Sequence, residues 1–332
     1  MSPQRLPAVM AFYSPDPAMG QILADLVRAL ELEGRPGLAQ QLSITWVRYD
    51  QSLVGRAADL APEQFWALPV QGASWAGDRP RYPASVVKLV YLVAAEAWRQ
   101  ADLLEETPEL RRALADMIRD SSNDATGLVL DLLSGTTSGP ALPPQRMAPW
   151  VEQRQVVNRW LAGLDWPELE GCNACQKTWG DGPYGREREF YGAQLENRNR
   201  LSTDAVARLL QGVMASALVS PPAGARMRAL LARSLDPAQR AADPENQVDG
   251  FIGAGLTPGS RLWSKAGWMS QARHDAAYVE APGETTSTGA SPFLLVVFSE
   301  GQGCARDAQL LPELAARLAS VCGHPPSEGG RG

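Results

Sequence analysis

Apolar residues recur with two different periods along this 332-residue chain, and the places where the period changes divide it into regions. Between 18 and 33, Ile22, Leu26 and Leu30 fall at helical spacing with Leu23 and Val27 beside them, and GRPG at 34–37 supplies the stop. SITWVRYD (43–50) alternates and is rich in β-formers, while FWALPVQG (65–72) reads as a weaker second strand, the two making a hairpin with a long loop. From 84 to 234 the period becomes helical, with segments at 85–98, 108–119, 124–133, 151–164, 203–216 and 222–234. Leu110, Leu114, Met117 and Ile118 mark the second of these, and Ser202, Thr203 and Asp204 offer N-caps to the fifth. Two irregular insertions, 134–149 and 165–201, interrupt the helices, and loops of that length in a compact domain carry function or move.

After 258 the strands return as SRLWSKAGW, HDAAYVEA and PFLLVVFSE, separated by MSQAR and PGETTSTGAS and followed by a helix over 305–320. Short connections make these three an antiparallel meander that adds to the N-terminal pair. The expected fold class is therefore α/β (α+β), an antiparallel five-stranded sheet built from both chain ends and packed against a mostly helical central region. The expected organisation is a single domain over 1–322, with a sheet layer from about 40–75 and 258–322 and a helical layer from about 84–240. GHPPSEGGRG (323–332) reads as a disordered tail.

Composition changes this picture mainly by exclusion. A 45% hydrophobic content is enough to bury a large core, and a net charge of -6 with no basic block or basic-aromatic stripe argues against nucleic acid as a partner. AVMAFY (8–13) is too short for the apolar region of a signal peptide, and FLLVVF (293–298) is strand-length, so neither export nor membrane insertion is expected and the address is cytoplasmic. CNAC places Cys172 and Cys175 at zinc-knuckle or redox spacing, but a zinc site wants two further ligands. A helix over 305–320 would hold Cys304 and Cys322 roughly 25 Å apart, so they cannot complete it. Reduced thiols are the expectation, with a local metal or redox role for Cys172 and Cys175 as the alternative. No metal and no cofactor are expected.

The candidate chemistry begins in YPASVVKLVYLV (82–93), where a serine and a lysine interrupt an apolar segment. Ser85 and Lys88 are three apart, so a helix sets them on one face with the serine in its first turn. Burial lowers a lysine pKa toward neutrality, and a neutral amine there accepts a serine proton. The bland alternative is a serine cap and a snorkelling lysine. With only His274 and His324 in the chain, a histidine-based triad would rest on His274 alone. A second polar island, RDSSNDAT (119–126), lies between two helices, where Ser122 or Asp124 can serve as a plain cap. A third, WSKAGW (263–268), interrupts a strand, and its bland reading is an exposed lysine beside a glycine bulge.

Taken in order, S-x-x-K opening a buried helix, S-x-N between helices, and K-[small]-G on the first strand of a C-terminal meander resemble the penicillin-recognising serine enzymes, most closely the class A β-lactamase-like branch. The resemblance spans roughly 40 to 320 and implies a β-lactamase/transpeptidase-like fold. It further implies Ser85 as acylated nucleophile, Lys88 as its proton acceptor and Ser121 as proton relay, with Asn123, Lys265, Gly267 and Trp268 binding substrate. Asn123 would hold the substrate amide, Lys265 would anchor an anionic group, and the backbone N–H groups of Ser85 and Trp268 would form an oxyanion hole. The implied partner is a small-molecule amide, ester or β-lactam substrate.

Three departures narrow the substrate. Ser122 stands where the family has the aspartate of S-D-N, and Ala266 where K-T-G has a hydroxyl that helps grip a carboxylate. No E-x-x-L-N string precedes residue 203. The nearest echo, WPELE (166–170), puts Trp166 where the water-activating glutamate would stand. Glu168, Glu170, Glu187, Glu189 and Glu196 are candidates by position, each more simply read as a solvated surface charge. The leading expectation is a Ser-Lys acyl-enzyme hydrolase or transferase. Its alternatives are a cytoplasmic amide hydrolase of the serine-dependent glutaminase type and a non-catalytic binding protein that kept the pocket.

Overall fold

The computed structural model describes residues 12–282 and 290–323, so the 323–332 tail lies outside it but for Gly323. Among the described residues seven strands form one sheet: β1 (Ser14–Pro15), β2 (Leu42–Arg48), β3 (Gln71–Trp75), β4 (Ala232–Arg233), β5 (Arg261–Met269), β6 (Ala272–Glu280) and β7 (Phe293–Glu300). Their order is β1-β3-β2-β7-β6-β5-β4. The meander β5-β6-β7 is antiparallel and joins the N-terminal strands through β2 against β7, Leu42 opposite Ser299 and Arg48 opposite Phe293. The expected five-stranded antiparallel sheet is thus corrected to seven strands and a mixed sheet, because β1 runs parallel to β3 and β4 is added beyond β5. Each added strand has two residues, too few to carry a period-2 signal.

FWALPVQG also divides differently from its expected single strand. Pro62 opens a short helix over Pro62–Trp66. Strand β3 begins only at Gln71, after Pro69 has ended the turn. The aromatic pair that suggested a strand is helical, with Phe65 buried and its ring centroid 5.0 Å from that of Trp66.

Alternation along β7 shows why the sheet is covered on both faces. Phe293, Leu295 and Val297 join one core with residues of the Pro17–Leu32 and Leu310–Val321 helices, so the terminal helices form a third layer. Leu294, Val296 and Phe298 join the other core, which holds the Val87–Gln100 and Thr203–Ala215 helices. Both runs are fully buried, which is why β7 reads as continuous apolar sequence. The Thr203–Ala215 helix is buried at every position but Asp204 and lies against β2, β6 and β7, with Ser202 capping it through Ala205 N–H at 3.0 Å.

The expected helix over 151–164 is two, Pro144–Arg154 and Val156–Ala162, meeting at Gln155. The 165–201 insertion is anchored rather than loose: Asn173 pairs with Arg200 and Arg81 with Leu201 as isolated bridges, and Asn199 Oδ1 accepts from Cys175 N–H and Gln176 N–H. Beneath it lies a buried charge cluster. Arg154 meets Glu187 at 2.7 Å and Asp131 at 3.2 Å, and Lys177 meets Asp131 at 2.6 Å. Arg154→Ala should cost about 3–5 kcal/mol in urea unfolding, because it leaves Glu187 buried without its close partner. Arg159→Ala, which breaks the exposed pair with Glu152, should stay within about 1 kcal/mol. Equal losses would show that the cluster holds nothing.

Candidate active site

The Ser85 turn is built before the helix begins. Ser85 sits in a 3-10 turn, Ala84–Val86, that leads directly into the Val87–Gln100 helix, with Val86 N–H donating to Pro83 C=O at 3.0 Å. Ala84 adopts a left-handed backbone with φ of 46°, an uncommon conformation for a residue bearing a Cβ. His274 steadies the approach to this turn. Its Nδ1 accepts from Ser299 N–H at 3.0 Å, so its Nε2 is the atom that donates to Tyr82 C=O at 2.8 Å. Burial drives its pKa down to about 4, which makes His274 a neutral strut and not a base.

Strand β5 passes the turn at backbone contact. A Cβ on Gly267 would lie 2.9 Å from Pro83 O, 3.0 Å from Ser85 N and 3.1 Å from Val86 N. Only glycine lets the strand come this close, and Trp268 follows it with its indole face open to solvent.

Lys88 is fully buried and no carboxylate among the described residues pairs with it. Glu96, the other buried charge on the same helix, is paired by both Arg99 and Arg226. In place of a counter-ion, Lys88 Nζ donates to Ser121 C=O, to Ser121 Oγ at 3.2 Å and to Asn123 Oδ1 at 3.0 Å. Burial lowers its pKa to about 7. Ser121 reaches inward because its backbone is left-handed, φ 56°, and because Ser122 caps the next helix through Ala125 N–H at 3.1 Å. The serine at the family's aspartate position is therefore the helix cap.

Lys265 approaches the same hydroxyl from the sheet. Its Nζ donates to Ser121 Oγ at 3.0 Å, to Ala266 C=O at 2.7 Å and to Gln247 Oε1. Burial, with the Lys88 charge next, drives its pKa well down. Ser85, half-buried, opens with Ser121, Asn123, Gly267 and Trp268 into a cleft of about 440 Å³, and no protein group among the described residues holds its hydroxyl. Five of the seven candidate residues thus line one cleft, and the other two, Lys88 and Lys265, both reach it through Ser121 Oγ.

A model of the beta-lactamase enzyme family matches residues 103–321, more than half of the chain, beginning after Ser85 and Lys88. The chain belongs to the beta-lactamase enzyme family. No match is found among curated proteins. Solved structures show the same fold at low identity. PBP-A is 15% identical with a TM-score of 0.57 over 93% of this chain and 97% of its own. A beta-lactamase from Chitinophaga pinensis is 14% identical with a TM-score of 0.58 over 90% and 98%. One from Sphaerobacter thermophilus is 19% identical with a TM-score of 0.56 over 92% and 99%.

Within this beta-lactamase-family fold, the glutamates of the long insertion do not line the cleft into which Ser85 opens. Two of them correct the expectation of solvated charges: Glu187 is buried against Arg154, and Glu168 is held by Arg208 Nη1 at 2.7 Å and by Phe12 N–H at 3.2 Å. Glu170, Glu189 and Glu196 are exposed, and none of the five lines the cleft. Trp166 is buried beneath the Arg208 guanidinium, 4.4 Å from its ring centroid. Cys175 is a buried thiol pushed up to about 12 by burial, Cys172 is half-buried with its thiol also raised, and no acid, histidine or thiol cluster among the described residues is arranged to hold a metal.

Two cleft residues carry no motif and were not legible beforehand. Gln247 bonds Lys265, and Arg273 lies between the rings of Phe251 and Trp268. Three of the five Arg273 N–H groups go to backbone, Nε and Nη2 on Ala305 C=O and Nη1 on Gly250 C=O. Gly267→Ala should cost about 1–3 kcal/mol in chemical denaturation, since the atoms it meets are backbone and cannot step aside. Gly303→Ala, where a Cβ meets nothing, should be neutral or slightly stabilising. A tolerated alanine at 267 would refute the contact.

Proposed function

We propose that the chain is a serine hydrolase that forms an acyl-enzyme through Ser85, with Lys88 as its base, on an amide or ester bond of a small molecule. The observation that supports this is an open serine hydroxyl one turn before a buried amine that has no counter-ion among the described residues. With a pKa of about 7, much of Lys88 is free amine near neutrality and able to take a proton. Ser85 Oγ attacks the carbonyl carbon as its proton passes to Lys88. Ser121, whose hydroxyl lies between the two lysines, delivers a proton to the leaving nitrogen or oxygen as that bond breaks, and the acyl group stays on Ser85. Asn123 holds the substrate amide. The backbone N–H groups of Ser85 and Trp268 stabilise the oxyanion, and the close passage at Gly267 supports that pairing. Residues 1–322 act as one catalytic domain. A pure binding protein would have no use for an amine kept near neutrality under a serine.

A second version, the amide hydrolase of the serine-dependent glutaminase type, is favoured by the state of the cationic groups. All three Lys265 donors have protein acceptors, Ala266 offers no hydroxyl and three of the five Arg273 N–H groups are taken by carbonyls. A carboxylate-bearing substrate therefore meets no spare Lys265 donor and no hydroxyl at 266, and is left with the remaining Arg273 N–H groups. A β-lactam remains a fair probe of the serine, since a mutant of PBP-A was solved as an acyl-enzyme complex with penicillin G.

On mixing with penicillin G or a chromogenic ester, intact mass spectrometry should show an adduct on Ser85, absent in Ser85→Ala; turnover retained by that variant would end the assignment. The rate of adduct formation should rise with pH through about 7 and then level, because the neutral form of Lys88 is the base. A limb near the ordinary lysine value of about 10 would remove Lys88 from that role. Adduct decay should be slow and unchanged by Glu170→Gln, Glu189→Gln or Glu196→Gln, and a drop of orders of magnitude in one of them would reveal a water-activating glutamate.

A further inference from the structure

Gln247 is buried in a stretch with no motif, yet its amide is used at both ends. Nε2 donates to Ile118 C=O at 2.9 Å and Arg119 C=O at 2.7 Å, the last turn of the helix that leads to Ser121. Oε1 accepts from Lys265 Nζ and from Ala266 N–H at 3.2 Å. The two carbonyls fix which way the amide points, since only its NH2 end can face them, so the oxygen must face the lysine. One side chain thus ties strand β5 to the Ser121 turn and sets the Lys265 amine against the Ser121 hydroxyl.

Every charged or titratable group around that amine comes from a different element. Lys88 faces it from the Val87–Gln100 helix, Arg233 from β4 and Asp275 from β6. Arg233 is itself held by Ser264 C=O and by Ile118 C=O at 2.7 Å. Asp275 accepts from Ile252 N–H at 3.1 Å, and burial lifts its pKa to about 7. Arg233 is thus the fixed charge in this balance, since Lys88 and the Asp275 carboxyl each have a pKa of about 7 and are only partly charged near neutrality. A carboxylate at 247 would reverse this balance at hydrogen-bond distance.

We propose that Gln247 is a positioning residue of the proton path through Lys88, Ser121 and Lys265: its amide clamps Lys265 on Ser121 while adding no charge to the lysine pair. Its catalytic meaning rests on the acyl-enzyme function proposed above, but the clamp itself is testable without turnover. A glutamate there would give Lys265 a counter-ion and hold it as a fixed cation, whereas a leucine would release it.

The test is a titration of the two lysines by 13C NMR at Cε, in the wild-type chain, Gln247→Glu and Gln247→Leu, alongside the rate of Ser85 adduct formation. In Gln247→Glu the Lys265 midpoint should move up by at least about one pH unit, a tenfold change in proton affinity. In Gln247→Leu adduct formation should slow about tenfold or more at every pH, with the Lys265 midpoint not raised. A residue that merely supported the fold would leave the Lys265 midpoint where it was in Gln247→Glu, and that result overturns the proposal. So does a leucine variant that acylates at the wild-type rate. If the wild-type chain forms no adduct, the acyl-enzyme function fails, while the lysine titration still decides whether Gln247 governs the charge on Lys265.

Discussion

An amine buried without a counter-ion sets the terms for the rest of this site. Moving an ammonium out of water is costly, and a protein either pairs it or lowers its pKa until the charge can leave. Lys88 takes the second course, and the surrounding structure follows from it. The acceptors around its Nζ are a backbone carbonyl, a hydroxyl and a side-chain amide, dipoles that satisfy N–H groups without fixing a positive charge. Two of those acceptors belong to Ser121, which is why that residue holds a left-handed backbone between two helices. The contrast with Glu96 two turns along, doubly paired with arginines, shows that this helix can bury a charge in the ordinary way where nothing else is asked of it.

The second constraint is distance between backbones. β5 must pass the serine turn closely enough that a single methyl group would collide with three backbone atoms, and the sheet must hold it there. The hydrogen-bonded neighbours β6 and β4 on either side do so, and His274 on β6 ties the same region to Tyr82 C=O. Helical layer and sheet meet at the cleft through Ser121, which receives one lysine from each.

Much of this was legible in the sequence for identifiable reasons. Lys88 stood out because its neighbours are apolar, and Ser121 and Lys265 because they occur in a fixed order on recognisable elements. The three strands of the meander declared themselves by β-formers and short connections. The rest left weaker marks. Strands of two residues have no period, and the aromatic pair Phe65 and Trp66 resembles strand until Pro62 is given its weight as a helix opener. Glu168 and Glu187 look like loop charges in one dimension because their partners, Arg208 and Arg154, lie 40 and 33 residues away. Gln247 has no signature at all, since a glutamine in a polar stretch becomes informative only once its four partners are known.

The pairing of β2 with β7 has a consequence for how the protein is made. Leu42 lies opposite Ser299, so one edge of β2 stays open on the ribosome until about 250 further residues have been made and β7 has emerged. During that interval β3 can cover only the other edge, while Ile44 and Trp46 wait for a core that includes Leu295 and Val297. Helices in the middle of the chain form from local contacts and must wait for the sheet that they cover. Synthesis at about 5–20 residues per second leaves this edge unpaired for at least ten seconds or so, a window in which a chaperone or a second nascent chain competes with β7 for the same row of backbone groups.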